Sequence, residues 1–522
     1  MPFDPIRLEV FKHLFASVAE EMGVVLRKAS YSPNIKERRD FSCAIFNIEG
    51  DMVAQAAHIP VHLGSMPLSV LAAIHEFQNL QPGDMIILND PFRGGTHLPD
   101  ITLVSPVFVE EKLVGFTASR AHHADVGGMT PGSMPVAREI YQEGVIIPPL
   151  KIFEAGRLNQ GVWDLLLANV RTPEERAGDL WAQIASNNRG ILRFRELIAR
   201  YGFEEVHRYM AELLDYTERM TRRLLARFPD GVYHFTDYLD DDGVSSEPVR
   251  INVLITIAGE EATVDFSGSA TQQLGSINAV YAITLSAVYY VFRSLIGMDV
   301  PNNSGCLAPI KLVAPKGTVV NATHPAPVAG GNVETSQRIV DVLLGALSLA
   351  DPTRVPAASQ GTMNNLTVGG WDRNRNRPFA YYETIAGGMG ARPWGDGPSA
   401  VHSHMTNTLN TPVEALEFAY PLRVIRYEIR RGSGGRGHFD GGDGVRRELQ
   451  VLVDAQATLL TDRRVTSPYG LSGGEPGATG ENVLIRDGKE ELLPGKGMVD
   501  LHAGDILSIR TPGGGGYGKP KE

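Results

Sequence analysis

The chain has 522 residues, a formal net charge of −11 and a sequence pI of about 5.7. Hydrophobic residues make up 43% and charged residues 21%, the balance of a soluble globular protein with a large core. Its acidic charge argues against nucleic acid or an anionic membrane as main partner, since both need a basic face, and its two cysteines, Cys43 and Cys306, make no disulfide framework and suit a reducing, cytoplasmic setting.

The amino terminus, MPFDPIRLEVFKHLF, carries charge throughout and does not read as a signal peptide. From Pro5 to about Lys28, Ile6, Val10, Leu14, Val18 and Met22 fall on one stripe and predict a helix. Strands are expected at Asp40–Phe46 and Met52–Ala56 around the turn Glu49-Gly50-Asp51. A helix is expected over Pro67–Phe77 and a strand over Met85–Leu88.

The next stretch, Asn89 to Asp125, carries the chemistry. Ile101–Val109 and Leu113–Ala121 are apolar and strand-like, with the polar turn Glu110-Glu111-Lys112 between them. A hairpin folded about residue 111 sets Asp100 opposite His122, and directly opposed residues have Cβ atoms roughly 4.5–5.5 Å apart. His97 lies three residues before Asp100 in a Gly-Gly-Thr loop free to curl back. Imidazole and carboxylate ligands without thiolate suit Zn²⁺, Fe²⁺ or Mn²⁺, and about three protein ligands leave a position open for water or substrate. The alternative is that these are ordinary polar residues at strand ends. Only one of His122 and His123 can share the face of Asp100, because neighbours on a strand point oppositely. The register favours His122, and a one-residue slip would exchange them.

A long loop rich in Gly, Pro and Met follows, Gly127–Pro149, of a length typical of a functional lid or of disorder. Val162 to about Arg227 reads as helical. Gly231–Leu239, Val249–Ile257 and Glu261–Phe266 read as strands, with Asp240-Asp241-Asp242-Gly243 as a turn rather than a calcium loop. Ala279–Met298 and Thr335–Ala350 read as buried helices. The apolar run from Ala279 to Phe292 is short of the roughly 20 residues a membrane span needs. Beyond about Phe418 the chain is strands and glycine turns, among them Gly432–Gly437 and Gly513–Gly516. There is no phosphate-cradling G-x-x-x-x-G-K-[ST] and no G-x-S-x-G elbow. His402 and His404, expected on one face of a strand, form a rival metal site. Arg38-Arg39-Asp40 reads as an edge salt bridge, and Thr335 or Ser336 as a helix N-cap.

The fold class expected is mixed α+β with mostly antiparallel sheets. An N-terminal α+β metal-binding region (1–160) precedes a helical segment (161–230), a central α+β region (231–417) and a β-rich C-terminal region (418–522).

Several motifs in order, ERRDFSCAIF (Glu37–Phe46), HIPVHLGSMP (His58–Pro67), NDPFRGGTHLPD, HHADVGG, GGNVETSQR and TPGGGGYG, resemble the hydantoinase B family from about Pro5 to Gly518. That family includes the B-type subunits of ATP-dependent hydantoinases, the matching half of 5-oxoprolinase and a large subunit of acetone-type carboxylases. The resemblance implies a hetero-oligomer with a hydantoinase A-type subunit that carries ATP and Mg. It also implies a small-molecule substrate and a divalent metal, Zn or Mn, on this chain. The family's ligand motif falls on His97, Asp100 and His122, and its RRDFS aspartate adds Asp40, which spacing alone does not find. In the implied reaction the partner phosphorylates a cyclic amide or imide, and this chain delivers metal-activated hydroxide to the activated carbon. His123 or Asp125 would carry the proton, and the Gly127–Pro149 loop would exclude water. The alternatives are carboxylation of a phosphorylated ketone enolate at the same ligands, and a non-catalytic scaffold whose metal only holds the hairpin.

Overall fold

The structure is a computed structural model that describes residues 4–56, 59–297 and 299–520. His58, which opens one of the motifs above, and Met298, the expected end of a helix, lie outside the described residues.

Helix α1 (Pro5–Ala29) begins where Asp4 accepts hydrogen bonds from the Ile6 and Arg7 amides, with Pro5 in the first turn. Its buried face is not the expected stripe. Ile6 and Val10 are exposed, while Leu8, Phe11, Phe15, Val18, Met22 and Leu26 are buried. The aromatic residues set that rotation, since Phe11 stacks on Tyr209 with ring centroids 4.4 Å apart.

A one-turn helix, α2 (Pro33–Lys36), leads into a seven-stranded antiparallel sheet. Its strands are β1 (Phe41–Phe46), β2 (Met52–Gln55), β3 (Met85–Leu88), β4 (Asp100–Val109), β5 (Lys112–His122), β6 (Leu150–Glu154) and β7 (Arg157–Leu158), in the order β2-β1-β5-β4-β3-β6-β7. Both faces are covered, which explains why the central strands read as continuous apolar runs. On one side β1, β4 and β5 pack with α1 and with α5 (Pro173–Tyr201) through Phe41, Cys43, Ile45, Val107 and Ala121. On the other, Ala44, Phe46, Val104, Phe116 and Ala118 meet α3 (Ser65–Glu76). α4 (Gln160–Ala168) and α6 (Phe203–Leu225) complete the helical segment.

The β4–β5 hairpin reaches the expected register by an unexpected route. Val109 pairs with Lys112, so the turn is only Glu110-Glu111, with Glu110 in the left-handed region at φ 55°. A two-residue turn alone would place Asp100 opposite Ala121. The register then shifts between Val107 and Phe108, where Val107 faces Gly115 and Phe108 faces Leu113. This bulge takes up one residue of β5, Val114, and returns Asp100 to His122.

Strands β8 (Gly231–Leu239), β9 (Val249–Ala258), β10 (Glu261–Asp265) and β11 (Ile310–Val313) form a second sheet that is antiparallel except between β10 and β11. Helix α7 (Tyr281–Ile296) packs on α8 (Ser336–Ala350), and α8 lies against β8 and β9. Residues Gly331–Thr335 form a π-helical turn that runs directly into α8, so the expected N-cap is instead a helix continued with a bulge, a geometry frequent at functional sites.

The remaining elements are β12 (Asn365–Asp372), β13 (Arg377–Glu383), α9 (Val413–Ala419), β14 (Leu422–Arg430), β15 (Gly444–Val451), β16 (Ala455–Leu460), β17 (Glu481–Arg486), β18 (Lys489–Leu493), β19 (Lys496–Leu501) and β20 (Ile506–Arg510). They build two antiparallel sheets, β13-β12-β16-β19 and β14-β15-β20-β17-β18. The mixed α+β class is as expected. Several glycines expected to make turns serve a different end. A Cβ on Gly514 would lie 2.2 Å from the Met389 carbonyl oxygen, and one on Gly441 2.0 Å from that of Gly514, so these glycines let backbone segments cross in direct contact.

Candidate functional site

Strand alternation puts Asp100 and His122 on the α3 side of the first sheet, and Asp40, the residue before β1, joins them through a hydrogen bond from the His122 amide to its carbonyl, 3.0 Å. Three adjacent strands thus present two carboxylates and an imidazole at one end of the sheet. The loop before β4 adds His97, whose Nε2 is 3.3 Å from Asp100 Oδ2. The His97 and His122 ring centroids are 5.0 Å apart.

Asp100 is used asymmetrically. Its Oδ2 accepts from Thr96 Oγ1 at 2.7 Å and lies 3.4 Å from His62 Nε2 as well as 3.3 Å from His97 Nε2. Its Oδ1 is buried without a hydrogen-bond partner, as are His97 Nδ1 and His122 Nε2. Such atoms are costly to bury unpaired. Among the described residues no three His, Cys, Asp or Glu side chains are already drawn into a metal-holding cluster. What the fold supplies is two imidazoles and a carboxylate packed together, each with one buried atom that has no hydrogen-bond partner.

Burial pushes the Asp40 carboxyl up to about 7, with Asp100 adding to the rise and Arg38 opposing it. Burial acts to raise Asp100 too, but the charge of His97 and then of His62 holds it well below the ordinary carboxylate range. Burial, and then His97, keeps His122 neutral well below the usual imidazole range. Asp100 as carboxylate and His122 as neutral imidazole are in the states a cation requires of its ligands, whereas the Asp40 carboxyl at about 7 would have to give up its proton on binding.

Walls come from distant parts of the chain. Tyr382 on β13 stacks on His122, with ring centroids 4.4 Å apart and planes within 9°. Asn332, on the π-turn, brings Nδ2 to 3.1 Å from His97 Nε2. Its neighbour Glu334 accepts from the Met363 amide and from Asn365 Nδ2, and Asn365 Oδ1 takes the Tyr382 hydroxyl. Sequence reasoning did not name His62, Asn332 or Tyr382 as site residues, although His62 and Asn332 lie in motifs that carry the family resemblance.

His123 and Asp125 are not brought to this cluster. His123 points to the opposite face, where Nε2 meets Gln183 Oε1 of α5 at 2.9 Å, and burial with the nearby Arg176 pushes it down to about 4. Asp125 is buried but fully engaged. It accepts from the amides of Gly127, Gly132 and Arg171 and pairs with the Arg171 guanidinium at 3.0 Å. The Gly127–Pro149 segment is a packed strap. Met134, Ile140 and Ile147 join the main core, and Glu143 accepts from the Val328 and Ala329 amides. His402 and His404 lie in a loop after the isolated bridge at Val401, not on a strand. His404 adopts φ 58° and faces Tyr290, whereas His402 faces Asn410, so they form no shared site. Arg38 is no edge salt bridge either, being wholly buried.

Comparison with known proteins agrees along the whole chain. The family profile described as hydantoinase B/oxoprolinase matches residues 4–520. The chain is 42% identical to 5-oxoprolinase 1 of Arabidopsis thaliana, over 99% of this chain but 42% of that protein. It is 35% identical to a protein of Pseudomonas sp. strain NS671 named as the B component of a D-/L-hydantoinase, over 99% and 90% of the two chains. The crystal structure of an ATP-dependent caprolactamase from Pseudomonas jessenii superposes with a TM-score of 0.93 at 31% identity, over 99% of this chain and 92% of the other.

Proposed function

The chain belongs to the hydantoinase B/oxoprolinase family, and from that premise we propose that it is the metal-binding subunit of an ATP-dependent hydrolase of cyclic amides or imides. The nucleotide would be handled by a hydantoinase A-type partner. This division is supported by the missing phosphate loop, by a relative named as one component of a hydantoinase, and by the longer single-chain 5-oxoprolinase of which this chain spans 42%. The observation that carries the reading is the trio of buried, unpaired atoms on His97, Asp100 and His122 beside the Asp40 carboxyl.

In this reading Asp40, His97, Asp100 and His122 hold one divalent cation, Zn or Mn. When bound, such a cation lowers the pKa of a coordinated water towards about 7. The chain's residues supply the rest. Thr96 and His62 hold one oxygen of Asp100, leaving the other without a hydrogen-bond partner and available to a ligand. Tyr382 and Asn332 fix the two imidazoles. The Gly127–Pro149 strap, held through Glu143 to the Val328 and Ala329 amides just before the π-turn, would exclude bulk water and so protect an activated phosphate ester from wasteful hydrolysis. Once the partner has phosphorylated the amide oxygen, one water would add to the activated carbon, the ring C–N bond would break with the nitrogen taking up a proton, and a second water would release phosphate from the resulting acyl phosphate.

The test is ATP consumption by this chain together with an A-type partner. 5-Oxoproline, hydantoin and caprolactam are offered singly, and acetone with bicarbonate is offered separately. Ring-opened product formed in step with ADP supports the reading, whereas turnover with acetone alone would replace it with carboxylation.

A further inference from the structure

Arg38 stands beside the site without belonging to the proposed ligand set. Its guanidinium is wholly buried, yet its one ion pair among the described residues is loose, Nη2 to Asp40 Oδ2 at 3.9 Å. A buried cation without a close counter-ion is expensive, so a merely structural bridge would be better made from neutral groups. Its hydrogen bonds show where that charge is directed. Nη1 donates to Asn34 Oδ1 and, at 3.2 Å, to the Tyr382 carbonyl; Nη2 donates to Thr384 Oγ1 at 2.7 Å and reaches Thr408 Oγ1 at 3.5 Å.

Two of these bonds converge on one imidazole. A guanidinium can only donate, so it dictates which end of the Asn34 amide faces it. The carbonyl oxygen turns to Arg38, and Nδ2 must turn to His122, where it donates to the backbone oxygen at 2.6 Å and lies 3.2 Å from Nδ1. Without Arg38 the amide is free to flip, and a flipped amide sets oxygen against oxygen. On the second path the guanidinium lies 5.0 Å from the Tyr382 ring centroid and also holds that residue's carbonyl, and the same ring stacks on His122.

We propose that Arg38 is a positioning residue that fixes the His122 ring from two sides, through Asn34 and through Tyr382. The proposal rests on the reading of His122 as a cation ligand. It predicts that the coordination of a bound ion, and not only the stability of the fold, depends on residues that never touch the ion.

The experiment titrates the metal-free full-length chain with cobalt(II) and follows the visible absorption of the bound ion, alongside thermal melts. For Arg38→Gln and Asn34→Leu we expect a changed cobalt band and an affinity lower by roughly 10–100-fold, the range for losing an outer-shell partner. Arg38→Lys, whose ammonium cannot span both paths, is expected to restore the band only in part. If Arg38→Gln does not melt cooperatively, Asn34→Leu, which keeps the cation, decides the matter. A normal wild-type band left unchanged in shape and affinity by both substitutions overturns the inference alone. A wild-type chain with no cobalt band removes the cation reading, and this inference with it.

Discussion

At the scale of single residues, function here is a matter of which atoms are left without partners. Asp100 spends one oxygen on Thr96, His62 and His97 and keeps the other without a hydrogen-bond partner, an atom that a cation would satisfy under the proposed reading. His97→Ala should therefore lower metal content, measured by elemental analysis, and lower turnover with the partner by more than the roughly 10–100-fold typical of an outer-shell loss. Its melting temperature should change little, because the mutation also removes an unpaired buried atom. A scaffold role predicts the reverse, a lower melting temperature with activity per molecule intact. By contrast, His123→Gln should leave metal content near wild type, since that ring faces α5 and not the cluster. Of these residues, Asp100, His97 and His122 were legible from hairpin spacing. Asp40 came only from family resemblance, because nothing in its own segment shows that the β1–β5 pairing sets it beside His122.

At the scale of elements, two devices decide the geometry. One is the bulge beside Gly115, which returns the hairpin to register after a turn one residue shorter than expected. Hairpin spacing leads to the right pairing through the wrong turn, because a three-residue turn and a two-residue turn plus bulge give the same sum along the strands. Gly115 lies at φ 153°, and a Cβ there would come 2.5 Å from the Phe46 carbonyl oxygen. Gly115→Ala should cost about 1–3 kcal/mol in a denaturant melt. Deleting Val114 should remove the bulge yet leave Asp100 opposite His122, with metal content retained. Deleting Ala118, beyond the bulge, should instead step Asp100 opposite His123 and abolish metal binding. Equal metal content in the two deletions would show that strand register does not set the site.

The other device is the strap. Burial pushes Glu143 up to about 8 despite the two backbone amides it accepts from. Its pKa in the fold lies above its unfolded value near 4.5, so its contribution to stability is full below that value and is lost as pH rises through about 8. The wild-type melting temperature should accordingly fall between pH 5 and pH 9 (roughly the window of that shift) more than that of Glu143→Gln, which keeps the acceptor and cannot ionise. Identical slopes in scanning calorimetry would show that Glu143 does not couple strap and pH. Length and glycine content marked this segment as unusual, but they could not distinguish a packed strap from a lid, which depends on whether Ile140, Ile147 and Glu143 find partners elsewhere.

At the scale of the whole molecule, the site is an intersection. The first sheet supplies Asp40, Asp100 and His122, the π-turn before α8 supplies Asn332, and β13 supplies Tyr382. Among the described residues no helix is long and apolar enough to cross a membrane. Mixing the chain with an A-type partner should give a complex on size-exclusion chromatography whose ATP consumption depends on an added cyclic amide; consumption by this chain alone would refute the division of labour. The sequence by itself determined the α+β class, most strand and helix positions, the family, and the pairing of Asp100 with His122. These follow from local periodicity, short-range register and motifs that remain intact along the chain. Only the tertiary structure decided which face α1 buries, that His62, Arg38, Asn34, Asn332 and Tyr382 surround one imidazole pair, and that His123 and Asp125 face away. Those facts depend on long-range packing and on the alternation of side chains across a sheet whose neighbours lie far apart in the chain, and no local pattern encodes them.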